Sequence, residues 1–283
     1  CALFMPFIGF YLVNRYLSPV FAQKLGVVAT DLSAAKIRNE KTSFIAKASG
    51  FVTTTPLERA AFDLIFNTLG RDRKIKLKIY PSFGYVIVFA IVFAFRGRQD
   101  LMTTWNTLPS TAYHLFVLYF AFMILQVALH EIPYSDDFKA SWVYYSSPIQ
   151  KPGEILTGTM KAILIKLFVP GYLALSLIVL VIWGVQSIDD ILFALFNNMV
   201  MVLVVGLINK RSLPLSLAPS VRNQAGSFIR SILMILLVAA LGFAHYLLAR
   251  NTLLLVAAIP LQVIVIYILY SAYRKTTWRQ LTL

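Results

Sequence analysis

Six long apolar runs follow one another between residues 83 and 273, and short polar segments separate them. A helix needs about 20 apolar residues to cross the hydrocarbon core of a bilayer. The pattern therefore predicts six complete transmembrane helices, at Phe83–Phe95, Ala112–His130, Ala162–Gly184, Ile191–Ile208, Phe228–Ala249 and Leu253–Tyr273. The first run is short, so its helix either begins earlier, at Tyr80–Ser82, or lets Arg96 and Arg98 extend to the membrane surface.

The chain opens on another apolar run, Ala2–Val13, with no Met before it. We expect residues 1–13 to be the end of a truncated N-terminal transmembrane helix whose beginning precedes Cys1. Residues 14–82 are then a cytoplasmic segment, and residues 83–283 form the six-span domain with a helix-containing cytoplasmic loop at 131–161. The predicted fold class is all-α: a polytopic helical membrane protein with cytoplasmic amphipathic helices.

Composition supports a membrane protein. Apolar residues make up 59% of the chain and charged residues 13%, whereas a soluble domain has roughly a quarter charged residues. The single cysteine excludes a disulfide framework and an all-cysteine metal site. Basic residues outnumber acidic ones by 26 to 12, which in a membrane protein indicates cytoplasmic loops and anionic lipid as partners rather than nucleic acid.

The distribution of basic residues predicts the orientation. One set of segments contains 21 of the 26 basic residues, and the opposite set contains only Arg96, Arg98 and Arg250. Because cytoplasmic loops carry the excess of Lys and Arg, we expect the rich set and the C-terminus to be cytoplasmic. The rich segments are Asn14–Ser82, Glu131–Lys161, Asn209–Ser227 and Arg274–Leu283.

A cytoplasmic amphipathic helix is predicted over Pro56–Leu69. Thr55 can cap it, Pro56 suits the first helical position, and Glu58 completes a capping box. Gly70 is the expected C-terminal stop. The helix either lies on the membrane and the neighbouring spans or contacts a cytoplasmic subunit.

The basic strip Arg71–Pro81 leads into the first span. Between Lys74 and Ile79, charged and aliphatic residues alternate with period two, which is not a helical pattern. We expect an extended segment or a distorted interfacial turn. Its side chains either bind lipid headgroups, at about 1 kcal/mol per basic residue near anionic lipid, or transmit a mechanical signal to the span.

The loop after the second span contains a further polar element. Ser135 can cap a helix whose first turn carries Asp136 and Asp137, and Pro148 limits that helix. The paired aspartates also allow metal or acid chemistry, although capping is the favoured interpretation. A second helix is expected to restart at Lys151-Pro152-Gly153-Glu154 and lead into the third span.

No catalytic motif is present. The sequence contains neither a G-x-x-x-x-G-K-[ST] phosphate loop nor a G-x-S-x-G elbow, and His130-Glu131 lacks the second histidine of a zinc-binding H-E-x-x-H motif. Asp189 and Asp190 fall in a short external turn and are interpreted as a solvated helix cap. We therefore expect no enzymatic activity and no cofactor in this chain.

Four Asn and Gln side chains fall within the predicted spans: Asn197, Asn198, Gln126 and Gln262. They either hydrogen-bond between helices, worth roughly 0.6 kcal/mol each on average, or line a substrate path. Pro170-Gly171 and Pro260 are expected to kink their helices.

Three stretches resemble a known family. These are R-D-R-K-I-K-L-K-I-Y-P before a span, S-D-D-F-K-A-S-W-V-Y-Y-S-S-P-I, and K-P-G-E-I-L-T-G-T-M-K. Together they are similar to the permease subunit of a bacterial ABC-2-type exporter, in the branch found in Bacteroidetes. The similar region runs from about Thr55 to Lys166, and the long cytoplasmic stretch before it departs from a compact six-span permease.

The resemblance implies a subunit of the bacterial inner membrane that moves a substrate by alternating access, driven by a separate ABC-type ATPase that would hold ATP and Mg. A second permease copy is a further possible partner. The matching positions that would contact the ATPase are Arg71, Arg73, Lys74, Asp136, Lys139 and Trp142.

Two other hypotheses remain open at the sequence level. One is a structural or assembly subunit of a membrane complex that transports nothing. The other is a lipid-modifying enzyme, which would need His130, Glu131, Asp136 and Asp137 to converge at the membrane surface.

Overall fold

The computed structural model describes residues 47–95, 102, 106–221 and 227–281. Within these residues the chain forms helices and no β-strand, which confirms the all-α class. The predicted truncated span, residues 14–46, Arg96 and Arg98 lie outside the described residues. The α-helices are α1 Pro56–Arg71, α2 Arg73–Phe95, α3 Tyr113–Phe120, α4 Phe122–Glu131, α5 Trp142–Ser146, α6 Gly153–Ile163, α7 Val169–Trp183, α8 Ile188–Ile208, α9 Ser227–Leu248 and α10 Thr252–Arg274.

Helix α1 begins where the sequence predicts and ends two residues later than predicted. The Thr55 hydroxyl accepts a hydrogen bond from the Glu58 amide (3.3 Å), and Pro56 occupies the first turn. The Glu58 carboxylate accepts from the amide of Thr54, so the reciprocal bond of the capping box closes one residue upstream. Gly70 lies inside the helix, and the backbone leaves the helical conformation only at Asp72.

The expectation of an extended strip between Lys74 and Ile79 is wrong, because α2 is helical from Arg73 onwards. Asp72 caps it, accepting the amides of Lys74 and Ile75. The buried positions on this helix are Ile75, Ile79, Ser82 and Val86, which recur every three to four residues as on one helical face. Leu77 is 64% exposed, whereas a strand would bury it together with Ile75 and Ile79. The predicted segment boundary at residue 82 therefore falls within a helix.

The third predicted span, Ala162–Gly184, corresponds to the C-terminal part of a longer helical stretch. As expected, that stretch begins at Gly153 and continues through α6 and α7 to Trp183. Between them, Leu164–Phe168 form a π-helical turn in which the Val169 amide donates to the Leu164 carbonyl. Pro170 has no N–H to bond a preceding carbonyl, and π-turns of this kind accommodate such an interruption. Pro260, at the second predicted kink, lies inside α10.

Helix α8 is the centre of the bundle. It contacts α3, α4, α9 and α10, and Ala194, Met201 and Val205 on it are almost fully buried. The outer helices keep large apolar side chains exposed, such as Val181 on α7 (78%) and Leu253 on α10 (82%). A soluble protein would cover faces of this size, whereas lipid can solvate them.

Within the described residues, five helical stretches are long and apolar enough to cross a membrane, which indicates a helical membrane protein: Arg73–Val92, Tyr113–Glu131, Gly153–Trp183, Val185–Ile208 and Thr252–Arg274. The remaining predicted span coincides with α9, whose stretch Ile232–Leu248 is a shorter apolar helix.

The polar segments that the sequence assigns to one side meet at one end of the bundle, which we call the basic end. The amide of Ser135 donates to the carbonyl of Leu217 (3.0 Å), and the amide of Gly153 donates to the carbonyl of Thr276 (3.2 Å). Arg211 donates to the side chains of Thr276 and Gln280. The loop 132–152, the loop 209–221 and the C-terminal segment are therefore packed together.

The loop around Asp136 differs from the prediction. Ser135 accepts a bond from the Asp137 amide in a turn and does not begin an α-helix. A 3₁₀ turn, Phe138–Ser141, comes first and the short helix α5 follows it. The carboxylate of Asp136 does not cap a helix but pairs with Lys74 at the start of α2.

Candidate functional site

The structure brings together two of the six residues that the resemblance suggests as ATPase contacts. Lys74 at the start of α2 forms an ion pair with Asp136 in the loop after α4, and this contact lowers the pKa of the Asp136 carboxyl. Arg71, Arg73, Lys139 and Trp142 are exposed. Trp142 is 66% exposed and belongs to the same short helix as the exposed side chains of Val143 and Tyr145.

A buried ion pair also lies at the basic end, in what we call the Glu58 cluster (Thr54, Glu58, Lys161 and Tyr270). The Glu58 carboxylate is fully buried and lies 2.7 Å from the Lys161 ammonium. It also accepts the Thr54 hydroxyl (2.9 Å) and the Tyr270 hydroxyl (3.1 Å). Lys161 in turn donates to the carbonyl of Val52 (2.8 Å). The cluster therefore joins α1, α6 and α10 by charge-assisted bonds.

The electrostatics of Glu58 follow from these partners. Burial by itself raises the pKa of the Glu58 carboxyl, but the bonds from Lys161 and Thr54 and the charge of Lys161 outweigh burial and lower it to about 2. Glu58 is therefore ionised at neutral pH, and its charge is compensated inside the protein.

Close backbone contact holds α1 against α6 at the same place. A Cβ atom on Gly158 of α6 would collide with the carbonyl oxygen of Glu58 and lie 3.0 Å from the Cβ of Ala61. Because the obstacle is backbone, it cannot move aside as a flexible side chain could. Glycine at position 158 thus allows the helix contact on which the Glu58 cluster depends.

The four Asn and Gln residues predicted inside the spans have different surroundings. Asn197 of α8 and Gln262 of α10 bond to each other, with the Gln262 amide donating to the Asn197 carbonyl (2.8 Å). Asn198 donates to the backbone carbonyls of Ala194 and Leu118. Gln126 is half-buried on α4 and takes part in none of these bonds. Asn197, Asn198 and Gln262 therefore form hydrogen bonds within and between helices, as the interpretation of these residues as interhelical contacts predicts.

A histidine–aspartate cluster that sequence reasoning missed lies at the opposite end of the bundle. Asp190, expected to be a solvated cap, is 15% exposed and accepts one bond from each of two histidines. The distances are 2.9 Å to the Nε2 atom of His114 and 3.1 Å to the Nε2 atom of His245. Helices α3, α8 and α9 supply the three residues, which are distant in sequence.

This cluster continues into the bundle as what we call the polar chain. The Nδ1 atom of His245 lies 3.2 Å from the Tyr119 hydroxyl, and Tyr119 accepts a bond from Asn197. The chain therefore runs across four helices, and its members are His114, Asp190, His245, Tyr119, Asn197 and Gln262.

A cavity of about 290 Å³ opens beside the polar chain at this end. His114 and Asp190 line it, together with Trp183, Tyr246 and Arg250. The indole N–H of Trp183 donates to the Thr111 carbonyl (2.8 Å), which fixes one wall. The cavity thus combines one carboxylate, one imidazole and one guanidinium with two aromatic side chains.

Among the described residues no group of three or more His, Cys, Asp or Glu side chains could hold a metal ion. In the polar chain the Nε2 atoms of both histidines contact the Asp190 carboxylate. Of the four residues that a lipid-modifying enzyme would need, Asp136 pairs with Lys74, and Glu131 lies 3.5 Å from the Lys78 ammonium.

Comparisons with known proteins returned nothing: no protein-family model, no curated protein and no solved structure matches the chain. Its function has to be inferred from its own residues.

Proposed function

We propose that the chain is the transmembrane permease subunit of an ABC-type exporter, and that a separate ATPase drives it by docking on the basic end. In this proposal the protein lies in a bacterial inner membrane, all six apolar helices cross it, and the basic end and the C-terminus face the cytoplasm. The chain itself then carries out no covalent chemistry.

The observation that carries the proposal is the exposed apolar surface on α5. Trp142, Val143 and Tyr145 are 66%, 47% and 51% exposed, and the neighbouring Lys139 is also exposed. This surface belongs to the basic end of the bundle, where large apolar side chains are not expected to face lipid. Exposed aromatic side chains rimmed by charge mark protein interaction sites.

The same end is connected mechanically to the spans. The Lys74–Asp136 ion pair links the loop that carries α5 to the start of α2. The Glu58 cluster links α1 to α6 and α10, and Asp72 both ends α1 and caps α2. A force applied at α5 can therefore reach three long helices through short contacts, as alternating access requires.

The experiment is purification of the full chain from its native membranes, followed by measurement of MgATP hydrolysis in the complex. We expect an ATPase subunit to co-purify and Trp142→Ala to reduce its stimulation by this chain. Val181→Ala, on the exposed face of α7, is the matched control and should leave stimulation unchanged. If no ATPase co-purifies, or if Trp142→Ala changes nothing while the complex still assembles, the proposal is wrong.

A non-transporting structural subunit is the second candidate, and the packing of the bundle centre favours it. Asn197, Asn198 and Gln262 bond to neighbouring helices. Two cavities in the described part of the chain, of about 290 Å³ and about 60 Å³, lie near the ends of the helices. This function predicts that the chain co-purifies with other membrane proteins and has no effect on any ATPase.

A further inference from the structure

The polar chain has a defined direction of hydrogen bonding. Gln262 donates to Asn197, and the Asn197 amide donates to the Tyr119 oxygen. Because the Asp190 carboxylate can only accept, the Nε2 atoms of His114 and His245 must each carry a proton. In neutral His245 the Nδ1 atom is then an acceptor, and the Tyr119 hydroxyl donates to it over 3.2 Å.

The same contacts also satisfy a protonated His245. With protons on both ring nitrogens, the Nδ1–H donates to the Tyr119 oxygen, and the Tyr119 hydroxyl can turn to the carbonyl of Leu241, 3.3 Å away. The Tyr119 oxygen then accepts from both His245 and Asn197. No buried donor loses its partner in either state, so the site accommodates two protonation states without rearranging its heavy atoms.

His114 has no comparable arrangement for a second ring proton. Its Nε2 atom bonds to Asp190, but its Nδ1 atom is buried without a hydrogen-bond partner. A proton on that atom would be a buried charged donor with nothing to accept it, which is costly. A proton that enters the cluster is therefore better placed on His245.

The charges around His245 favour uptake of one proton. The residues that face it are Asp190 from α8 and Tyr119 from α3, with the Phe193 ring 4.6 Å away between ring centres. The other titratable or charged groups nearby are His114, Asp189, Tyr246 and Arg250; from α10 the chain receives only the amide of Gln262. With neutral histidines, the His114–Asp190–His245 cluster carries a net negative charge. A proton on His245 converts it into a neutral ion pair, which a low-dielectric site favours.

We propose that His245 and Asp190 form a proton-binding site that fastens α9 to the bundle. The His245 side chain on α9 is fully buried, and it hydrogen-bonds to Tyr119 on α3 and to Asp190 on α8. Much of the helix exposes its apolar side chains, including Ile235 and Phe243. Proton uptake turns the contact between α9 and α8 into an ion pair, so α9 is held more tightly when the proton is bound.

The cavity adjoins this site. Tyr246 and Arg250, which follow His245 in the chain, line the cavity, and so does Asp190. The site does not depend on an ATPase, because it lies at the other end of the bundle from α5.

The test uses the full chain, labelled with ¹⁵N-histidine, in lipid nanodiscs. The chain contains only three histidines, so substitutions to glutamine assign each imidazole signal. Between about pH 5 and 8, where histidine normally changes charge, we expect the His245 signals to convert from the Nε2–H tautomer to the doubly protonated form. The His114 signals should keep one proton over the same range, and His130 at the basic end is the reference.

Two variants make the result specific. Asp190→Asn should reduce the fraction of doubly protonated His245 observed at acid pH, because it removes the opposite charge that holds the added proton. Tyr119→Phe keeps the ring but removes the acceptor of the Nδ1 proton, so it should act in the same direction by less. If Asp190→Asn does not fold, Tyr119→Phe decides the question.

Hydrogen exchange provides the second readout. After correction for the pH dependence of exchange itself, the amides at the end of α9 should exchange more slowly at acid pH in the unmodified chain and show no such change in His245→Gln. The proposal is overturned if His245 keeps one form throughout, if neither variant shifts it, if α9 exchanges alike in both chains, or if a chelator alters the imidazole signals and so reveals a bound metal.

Discussion

Neutralising Glu58 is expected to release α1 from the bundle, because that carboxylate is buried and depends on Lys161. The pKa of Glu58 falls from its ordinary value of 4.5 to about 2. Since one pKa unit corresponds to about 1.4 kcal/mol, the ionised carboxylate stabilises the folded chain by about 3 kcal/mol. Glu58→Gln should therefore lower the free energy of unfolding by about that amount.

The pH dependence has a definite sign. Because the pKa of Glu58 is lower in the folded chain, its contribution is fully present above pH 4.5 and is lost as the pH falls towards about 2. Exchange of the α1 amides should accelerate over this acid range in the unmodified chain. In Glu58→Gln this component should be absent.

A double-mutant cycle isolates the pair. Lys161→Met alone leaves a buried carboxylate without its cation and should cost about 3–5 kcal/mol. The double variant Glu58→Gln/Lys161→Met should cost clearly less than the two single variants added together. The assay is reversible unfolding in detergent, followed by tryptophan fluorescence.

The matched control is the exposed pair at the start of α2. Lys74→Met breaks the ion pair between Lys74 and Asp136. Because both side chains are well exposed to solvent, this variant should destabilise the chain much less than Lys161→Met. If Glu58→Gln and Lys161→Met each change stability no more than this control, and their effects add, the Glu58 cluster does not hold α1 as argued.

The remaining predictions concern packing and orientation. Gly158→Ala should destabilise the chain by about 1–3 kcal/mol, measured by the same unfolding assay, because the added Cβ meets the backbone of α1. Gly84→Ala, where a Cβ has nothing within 4 Å, should instead stabilise α2 by up to about 1 kcal/mol. In a chain with Cys1→Ser, a membrane-impermeant maleimide should label Gln150→Cys and Asn251→Cys, both exposed positions, from opposite sides of the membrane. Labelling of both from one side would contradict the proposed topology.

The helix order could be predicted from the sequence because apolar length is a local property. The start of α1 was likewise visible, since Thr55, Pro56 and Glu58 act within one turn. The strip at Lys74–Ile79 was misread because six residues are too few to separate period two from a helical stripe. Only the partners of Ile75 and Ile79 inside the bundle distinguish the two patterns.

The histidine–aspartate cluster could not be read from any motif. Asp190 is 76 residues from His114 and 55 from His245 in sequence, so tertiary packing alone brings them together. One signal was available: the predicted topology places the ends of the spans carrying these three residues on the same side. Two of only three histidines sharing that side with an aspartate would have singled them out.

The docking of an ATPase at α5 can be tested most directly by site-specific photocrosslinking in the native membrane. A benzoylphenylalanine replaces Trp142, which is 66% exposed, and in a separate sample it replaces Val181, which is 78% exposed on α7. We predict a crosslink from position 142 to a nucleotide-binding protein, and crosslinks only to lipid or membrane proteins from position 181. If position 142 gives no crosslink to such a protein in a chain that remains folded, the proposed docking of an ATPase on α5 is wrong.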